Sequence, residues 1–220
     1  MDLMQAVKER HSVRKYADKA INEQLRGQIV EEIAKCNQES GLNIQAVFDE
    51  EKAFDCFMAR YGKFSGVKNY IVLAGEKGKD EQVGYYGERL VIFMQSLSLN
   101  SCWVALTYKK IKGAYSLNKG EKVYCVLAFG YGENGGAEHK IKPMEKVANV
   151  ENAPEWFLKG VECALLAPTA MNQQKFRFSV DGDEVQLKAG SGFYTKIDAG
   201  IVKYHFELAV GKDNFVWKQN

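Results

Sequence analysis

Two short polar segments at opposite ends of the chain set the strongest constraint on its fold: Arg10-His11-Ser12-Val13-Arg14-Lys15-Tyr16 and Ala167-Pro168-Thr169-Ala170-Met171-Asn172-Gln173-Gln174. The first closes an amphipathic helix with two guanidinium groups, an imidazole and a hydroxyl within five residues. That is the equipment for holding a phosphate or another concentrated acceptor group. The second follows a predicted helix and gathers a proline, a hydroxyl and side-chain amides just ahead of a strand, a loop rich in orientable donors and acceptors. Each has an ordinary reading when taken alone. Cations at a helix end offset its dipole, and Pro-Thr-Ala-Met-Asn is a common turn composition. Together they suggest a site for a polar, anionic cofactor, built from both ends of the chain.

Between these segments the hydrophobic pattern is clear. Asp2 is placed to cap a helix with Leu3, Met4 and Val7 on one face, and Asn22 a second with Leu25, Ile29 and Ile33 inward and Gly41 beyond its end. Ile44, Ala46 and Phe48 alternate as a strand, and Phe54, Phe57, Met58 and Tyr61 share one stripe of a short third helix. Tyr70 to Ala74 and Lys122 to Phe129 read as strands covered on both faces, separated by a long helix over 81–99. The polar stretch 135–152 is the natural connection between two halves. Pro154 then opens a helix, Phe176-x-Phe178-x-Val180 and Val185-x-Leu187-x-Ala189 form a hairpin about Asp181-Gly182, and Ile197, Ile201, Tyr204, His205 and Leu208 mark a last helix. This order predicts an α+β fold, a mixed sheet wrapped by helices, with 1–150 as the first half and 151–220 as a shortened echo of it.

Composition excludes several function classes. With 46% hydrophobic and 26% charged residues, 220 residues can bury a substantial core. A net charge of +2 without a basic stripe gives no footprint for nucleic acid. Five dispersed cysteines, with no Cys-x-x-Cys, read as reduced buried thiols. The amino terminus reaches Lys8-Glu9-Arg10 too early for a signal-peptide core, and no apolar run approaches a membrane span, so the expectation is a soluble cytoplasmic protein. The three histidines are too dispersed for a metal site, and no Gly-x-Ser-x-Gly elbow is present. The lack of an evident acid/base pair or nucleophile points to an enzyme whose cofactor carries the chemistry.

Arg10-His11-Ser12-Val13-Arg14 resembles the amino-terminal motif of the FMN-dependent nitroreductase family. The resemblance implies that Arg10, His11, Ser12 and Arg14 hold the flavin's phosphate, ribityl chain and pyrimidine edge. Pro168, Thr169, Ala170, Asn172 and Gln174 are similar to the family's second motif, Ala-Pro-Ser-x-x-Asn-x-Gln-Pro-Trp, although Lys175 and Phe176 replace its Pro and Trp. Ser98 to Leu106 resembles the segment whose backbone nears flavin N5 and O4, which implicates Val104, Ala105 and Leu106. Gly130-Tyr131-Gly132 with Lys140 and Lys142 is like the family's glycine-tyrosine turn and its basic pair at the phosphate, and Lys63 stands where relatives carry a second cation for the ring.

One departure shapes the expectation. Usual members carry the second motif after the second helix and complete the site across a homodimer. Here that place reads Asn37-Gln38-Glu39-Ser40-Gly41, and the motif stands in the second half. The chain thus resembles a tandem-half subgroup in which the second half stands in for the partner, as a monomer or a homodimer. The activity implied is that of an NAD(P)H oxidoreductase passing hydride from nicotinamide through flavin N5 to a nitroaromatic, quinone or similar small acceptor. The alternative is an FMN- or small-ligand-binding protein with little or no turnover.

Overall fold

The computed structural model describes residues 1–218; Gln219 and Asn220, the end of the second half, lie outside them. Helix α1 (Leu3–Glu9) is capped by Asp2, whose carboxylate accepts from Gln5 N–H, and α2 (Glu23–Ser40) by Asn22, which accepts from Leu25 N–H. Strand β1 (Asn43–Val47), the short helix α3 (Phe57–Tyr61), β2 (Asn69–Glu76), the central helix α4 (Asp80–Ser96), β3 (Asn100–Val104) and β4 (Glu121–Gly130) complete the first half. The second half adds α5 (Glu155–Leu165), the hairpin β5 (Phe176–Asp181) and β6 (Glu184–Ala189), α6 (Thr195–Val210) and β7 (Val216–Trp217).

The larger sheet has the order β1-β2-β4-β3 and is antiparallel throughout; the smaller, β5-β6-β7, pairs β5 with β6 antiparallel and β6 with β7 parallel. The unbroken apolar run of β2 has the expected consequence. Ile71 and Leu73 point into a core shared with α2, α4 and α6, while Tyr70, Val72 and Ala74 point into a second core with Phe54, Phe64 and Val104. In the small sheet, aromatic rings fill the interior: Phe178 stacks on Phe206 at 5.1 Å, and Phe206 meets Phe215 edge-on at 5.2 Å.

The two halves share a topology. In the first, α2 leads into β1, β1 pairs antiparallel with β2, and α4 crosses to β3. Since β2 and β3 are each antiparallel to β4, they run parallel to one another. In the second, α5 leads into β5, β5 pairs antiparallel with β6, and α6 crosses to a parallel β7. The order of helix, antiparallel strand pair, crossover helix and parallel strand thus occurs twice, and among the described residues the second occurrence has no counterpart of α3 or β4. The crossover helices pack on each other at paired glycines: a Cβ on Gly84 would stand 2.0 Å from the Ile197 carbonyl oxygen, and one on Gly200 2.0 Å from that of Glu81.

Three sequence expectations change. The third helix is shorter than its stripe, because Phe54 inserts early against Phe64 at 5.3 Å, and the helix starting at Phe57 then turns Phe57, Met58 and Tyr61 to solvent. Residues 100–104, read only as a family-like segment, are an edge strand. The first polar motif follows α1 in extended conformation rather than ending it as helix, since Arg10 already has φ −71° and ψ 117°. No helix of the described residues is long and apolar enough to cross a membrane. The backbone contact at the glycine pair makes Gly84→Ala a severe change: it should cost about 3 kcal/mol in a urea titration, from overpacking that α4 and α6 cannot relieve without separating.

Candidate functional site

After α1 the chain lies along the free edge of β3. Ser12 forms a parallel bridge with Ser101, and Val13 N–H donates to the Ser101 carbonyl at 3.0 Å. The period of two then buries Val13 in the core and turns Ser12 and Arg14 to the same side. That side faces a cleft of about 610 Å³, a size suited to a cofactor or small ligand. Its first-half wall is Ser12, Arg14, Phe64 and Trp103 to Thr107; its second-half wall is Pro168 to Met171, Phe193, Tyr194 and the Ile197, Asp198 and Ile201 face of α6. The Arg14 guanidinium lies 5.9 Å from the Phe64 ring centre. Both ends of one chain therefore meet on one cleft.

The second-half wall is held under strain. Met171, Asn172 and Gln174 have φ of 52°, 53° and 44°, left-handed values that cost a non-glycine residue about 1–3 kcal/mol each and persist only where surroundings over-determine them. Here they do. Gln174 N–H donates to Thr169 Oγ1 at 3.0 Å, and its buried side-chain amide donates to the Lys140 carbonyl and to Asn172 Oδ1 at 2.7 and 2.8 Å. Lys142 Nζ donates to the carbonyls of Gln173 and Gln174 at 2.7 and 3.1 Å, and Asn172 Nδ2 to that of Lys140 at 2.9 Å. From α6, buried Asp198 accepts from Ala170 N–H at 2.9 Å and from Gln173 Nε2 at 2.7 Å. Burial pushes the Asp198 carboxyl above its ordinary range.

Behind the cleft lies a buried polar cluster. Glu88 of α4 accepts from Trp103 Nε1 at 2.8 Å, meets His205 Nε2 at 2.9 Å and lies 3.8 Å from Arg10 Nε. His205 Nδ1 faces the Cys163 carbonyl at 3.2 Å. Arg10 is 4% exposed, and its Nη2 donates to the Leu166 carbonyl at 3.3 Å. Its Nε is buried without a hydrogen-bond partner among the described residues. Arg10 borders a second hollow of about 240 Å³, with Lys8, His11, Glu138 and His139. Replacing Glu88 by Gln would remove the carboxylate that pairs with both Arg10 and His205, and should lower stability by about 3–5 kcal/mol in denaturant titration. His139 Nε2 meets the Leu165 carbonyl at 3.0 Å, and burial, then the nearby Arg10 and His11, hold its pKa below the ordinary value. A histidine kept neutral by the fold adds stability above its unfolded pKa of about 6.5 and loses it as pH falls through the lower native value. Acidification below about pH 6.5 should therefore lower Tm less in His139→Gln than in the parent protein.

The residues singled out by sequence fall in different places. Ser12, Arg14, Val104, Ala105, Leu106, Pro168, Thr169 and Ala170 line the cleft. Arg10 and His11 line the adjoining hollow, while Asn172, Gln174, Lys140 and Lys142 form the bonded scaffold behind the strained loop. Lys63 is exposed and not part of the lining, although its neighbours Gly62 and Phe64 belong to it. The pattern Gly130-x-Gly132-x-x-Gly135 follows β4 but leads into loop rather than a helix, so it lacks the strand-turn-helix context of a dinucleotide fingerprint. Sequence reasoning missed Phe193, Tyr194 and Asp198. Their signals were an aromatic pair after Gly190-x-Gly192 and a single carboxylate in an apolar helix face. Cys102 and Cys125 also touch the cleft, but burial pushes both thiols up, away from the reactive thiolate. Among the described residues no cluster of His, Cys, Asp and Glu could hold a metal ion.

Comparison with known proteins agrees with this architecture. A "putative nitroreductase" from Thermotoga maritima MSB8 superposes with a TM-score of 0.64 at 23% identity, covering 95% of this chain and 83% of that one. A "putative nitroreductase in complex with FMN" from Desulfovibrio desulfuricans gives 0.51 at 16% identity, covering 66% of this chain and 94% of that one. A "putative NADH oxidase" from Clostridium acetobutylicum gives 0.51 at 17%, covering 67% and 99%. No curated protein matches the sequence significantly. The model of the family described as "Putative TM nitroreductase" matches residues 2–210, nearly the whole chain, and the protein belongs to that family.

Proposed function

We propose that this protein binds FMN without a covalent link and acts as an NAD(P)H oxidoreductase of nitroreductase type, with a nitroaromatic, quinone or similar small molecule as acceptor. The observation that carries this reading is the meeting of Ser12 and Arg14 with Pro168, Thr169 and Ala170 on one cleft of one chain. Bound FMN would supply a two-electron centre able to accept from a nicotinamide and donate to the acceptor.

The residues present fit that cofactor. Arg10, whose buried Nε has no hydrogen-bond partner among the described residues, lines a hollow that also carries Lys8, His11 and His139, with Glu138 as its one carboxylate. An anionic phosphate there would accept from a cation that the protein leaves partly unsatisfied. The motif of residues 10–14 contributes to both, Arg10 and His11 to the hollow and Ser12 and Arg14 to the main cleft. In the main cleft, Arg14 favours a bound group that gains negative charge, because a fixed guanidinium needs no reorganisation when that charge develops. The β3 terminus from Val104 to Leu106 supplies backbone groups, and Thr169 a hydroxyl, on opposite walls. Lys140, Lys142, Asn172 and Gln174 serve by fixing the loop that carries Thr169. The departure at Lys175 and Phe176 leaves the cleft intact, since Phe176 is in the core and Lys175 reaches out to the Ser191 carbonyl.

The same reading makes the chain a fused pair, 1–150 and 151–220, with one FMN per chain. Its support is the shared order of the halves, and the near-complete coverage of two shorter relatives by two thirds of this chain. On this reading one chain holds a whole site, as a monomer or within a homodimer. The test is an absorbance spectrum with FMN titration, which should show a yellow protein saturating at one FMN per chain. A protein that stays colourless at micromolar FMN would refute the assignment. Arg10→Ala should weaken FMN by about 10- to 100-fold, the worth of a charge-assisted hydrogen bond, while riboflavin binding changes little. Equal losses for both ligands would move Arg10 from the phosphate to the ring or ribityl chain.

A further inference from the structure

Three large apolar side chains stand in solvent at the mouth of the cleft: Met171 is 83% exposed, Phe193 78% and Leu106 70%. Single exposed apolar residues are common on protein surfaces, but these three share one cleft rim and come from three separate segments. Two of them are held there by backbone strain. Met171 has φ 52°, and Tyr194, next to Phe193, has φ 60°. Both segments are fastened to the same pair, buried Asp198 and half-buried Gln173. Asp198 accepts from Ala170 N–H, beside Met171, and from Gln173 Nε2; the same Gln173 amide donates to the Phe193 carbonyl at 2.8 Å. Thr195 Oγ1 donates to the Gly192 carbonyl at 3.2 Å, and Lys175 Nζ to that of Ser191 at 3.2 Å, closing the far side of the Phe193 loop. A fold that fixes its loops so firmly, and sets a Met and a Phe at their tips in water, is holding a surface for something absent. Strained, over-determined loops are characteristic of ligand clamps.

We infer that Phe193 and Met171 of the second half, with Leu106 from the first, form the contact surface for a planar, uncharged aromatic or quinoid acceptor, and that Asp198 and Gln173 are positioning residues for it. This rests on the FMN reading above and adds to it the residues that select the acceptor. The chemistry follows from the side chains. A phenyl ring and a thioether, both polarisable and free of charge, favour a flat apolar ring. They offer nothing to a compact, strongly hydrated anion. Since two of the three contacts come from residues 151–220, acceptor choice would be set chiefly by the second half of the chain.

The test titrates 1,4-naphthoquinone into the oxidised, FMN-loaded protein and follows the flavin absorbance to obtain Kd. Phe193→Ala should raise that Kd about tenfold and Phe193→Trp should restore it, with FMN affinity unchanged within about twofold in both. Met171→Ala should act in the same direction. Because both side chains are exposed, neither variant is expected to unfold. An unchanged quinone Kd in Phe193→Ala and Met171→Ala overturns the inference while leaving FMN binding intact. Loss of FMN from Phe193→Ala alone also overturns it, by making Phe193 a cofactor contact. If the parent protein takes up no FMN, the cofactor reading fails first and this inference falls with it.

Discussion

The buried carboxylate of Glu88 is the interaction on which the arrangement depends. It stands on α4 one turn beyond Gly84, where α4 and α6 come into backbone contact, and receives groups from three other elements. Trp103 brings β3, His205 brings α6, and Arg10 brings the start of the first motif. A carboxylate removed from water is costly unless its partners are close and well placed. The geometry that satisfies Glu88 is therefore also the geometry that fixes the two halves and the first motif relative to each other. Glu88 leaves Arg10 Nε without a hydrogen bond, and Arg10 also lines the hollow beside the cleft.

The second half contributes a wall rather than a second copy of the site. Without a strand equivalent to β4 it builds a three-stranded sheet among the described residues, and aromatic rings fill its interior. What it retains is the crossover helix α6, which packs on α4, and the strained loop after α5. The loop's conformation is bought by hydrogen bonds from both halves: Lys140 and Lys142 lie in the connection, Asp198 on α6. Residues that a motif comparison would assign to a ligand are here occupied with holding the loop that faces it.

Much of this was legible from residues alone, for local reasons. Asp2 and Asn22 cap their helices because a short acceptor side chain before an apolar periodic run satisfies the first free N–H groups. The hairpin of β5 and β6 follows from alternation about Asp181-Gly182, with Gly182 at φ 61°. The runs of β2 and β4 were continuous because both faces of the sheet are covered. The stripe of Phe57, Met58 and Tyr61 misled because helical spacing says which residues share a face but not whether that face meets the core.

The sequence by itself determined the elements, the family motifs and the presence of cations and hydroxyls at both ends of the chain, since these depend on neighbours within a few residues. Tertiary structure alone decided which of them share a cleft. Ser12 and Arg14 reach it because residues 10–16 lie extended against β3, a pairing across about ninety residues of chain that no local pattern encodes. Arg10 turns to the adjoining hollow because Glu88 and the Leu166 carbonyl hold it there. Gln174 and Lys142 are drawn into the scaffold because left-handed backbone at Met171, Asn172 and Gln174 needs hydrogen bonds from outside the loop to persist. Phe193 and Asp198 carry no motif, and their place on the cleft follows only from the packing of α6 on α4, which is set by where two glycines let the backbones touch.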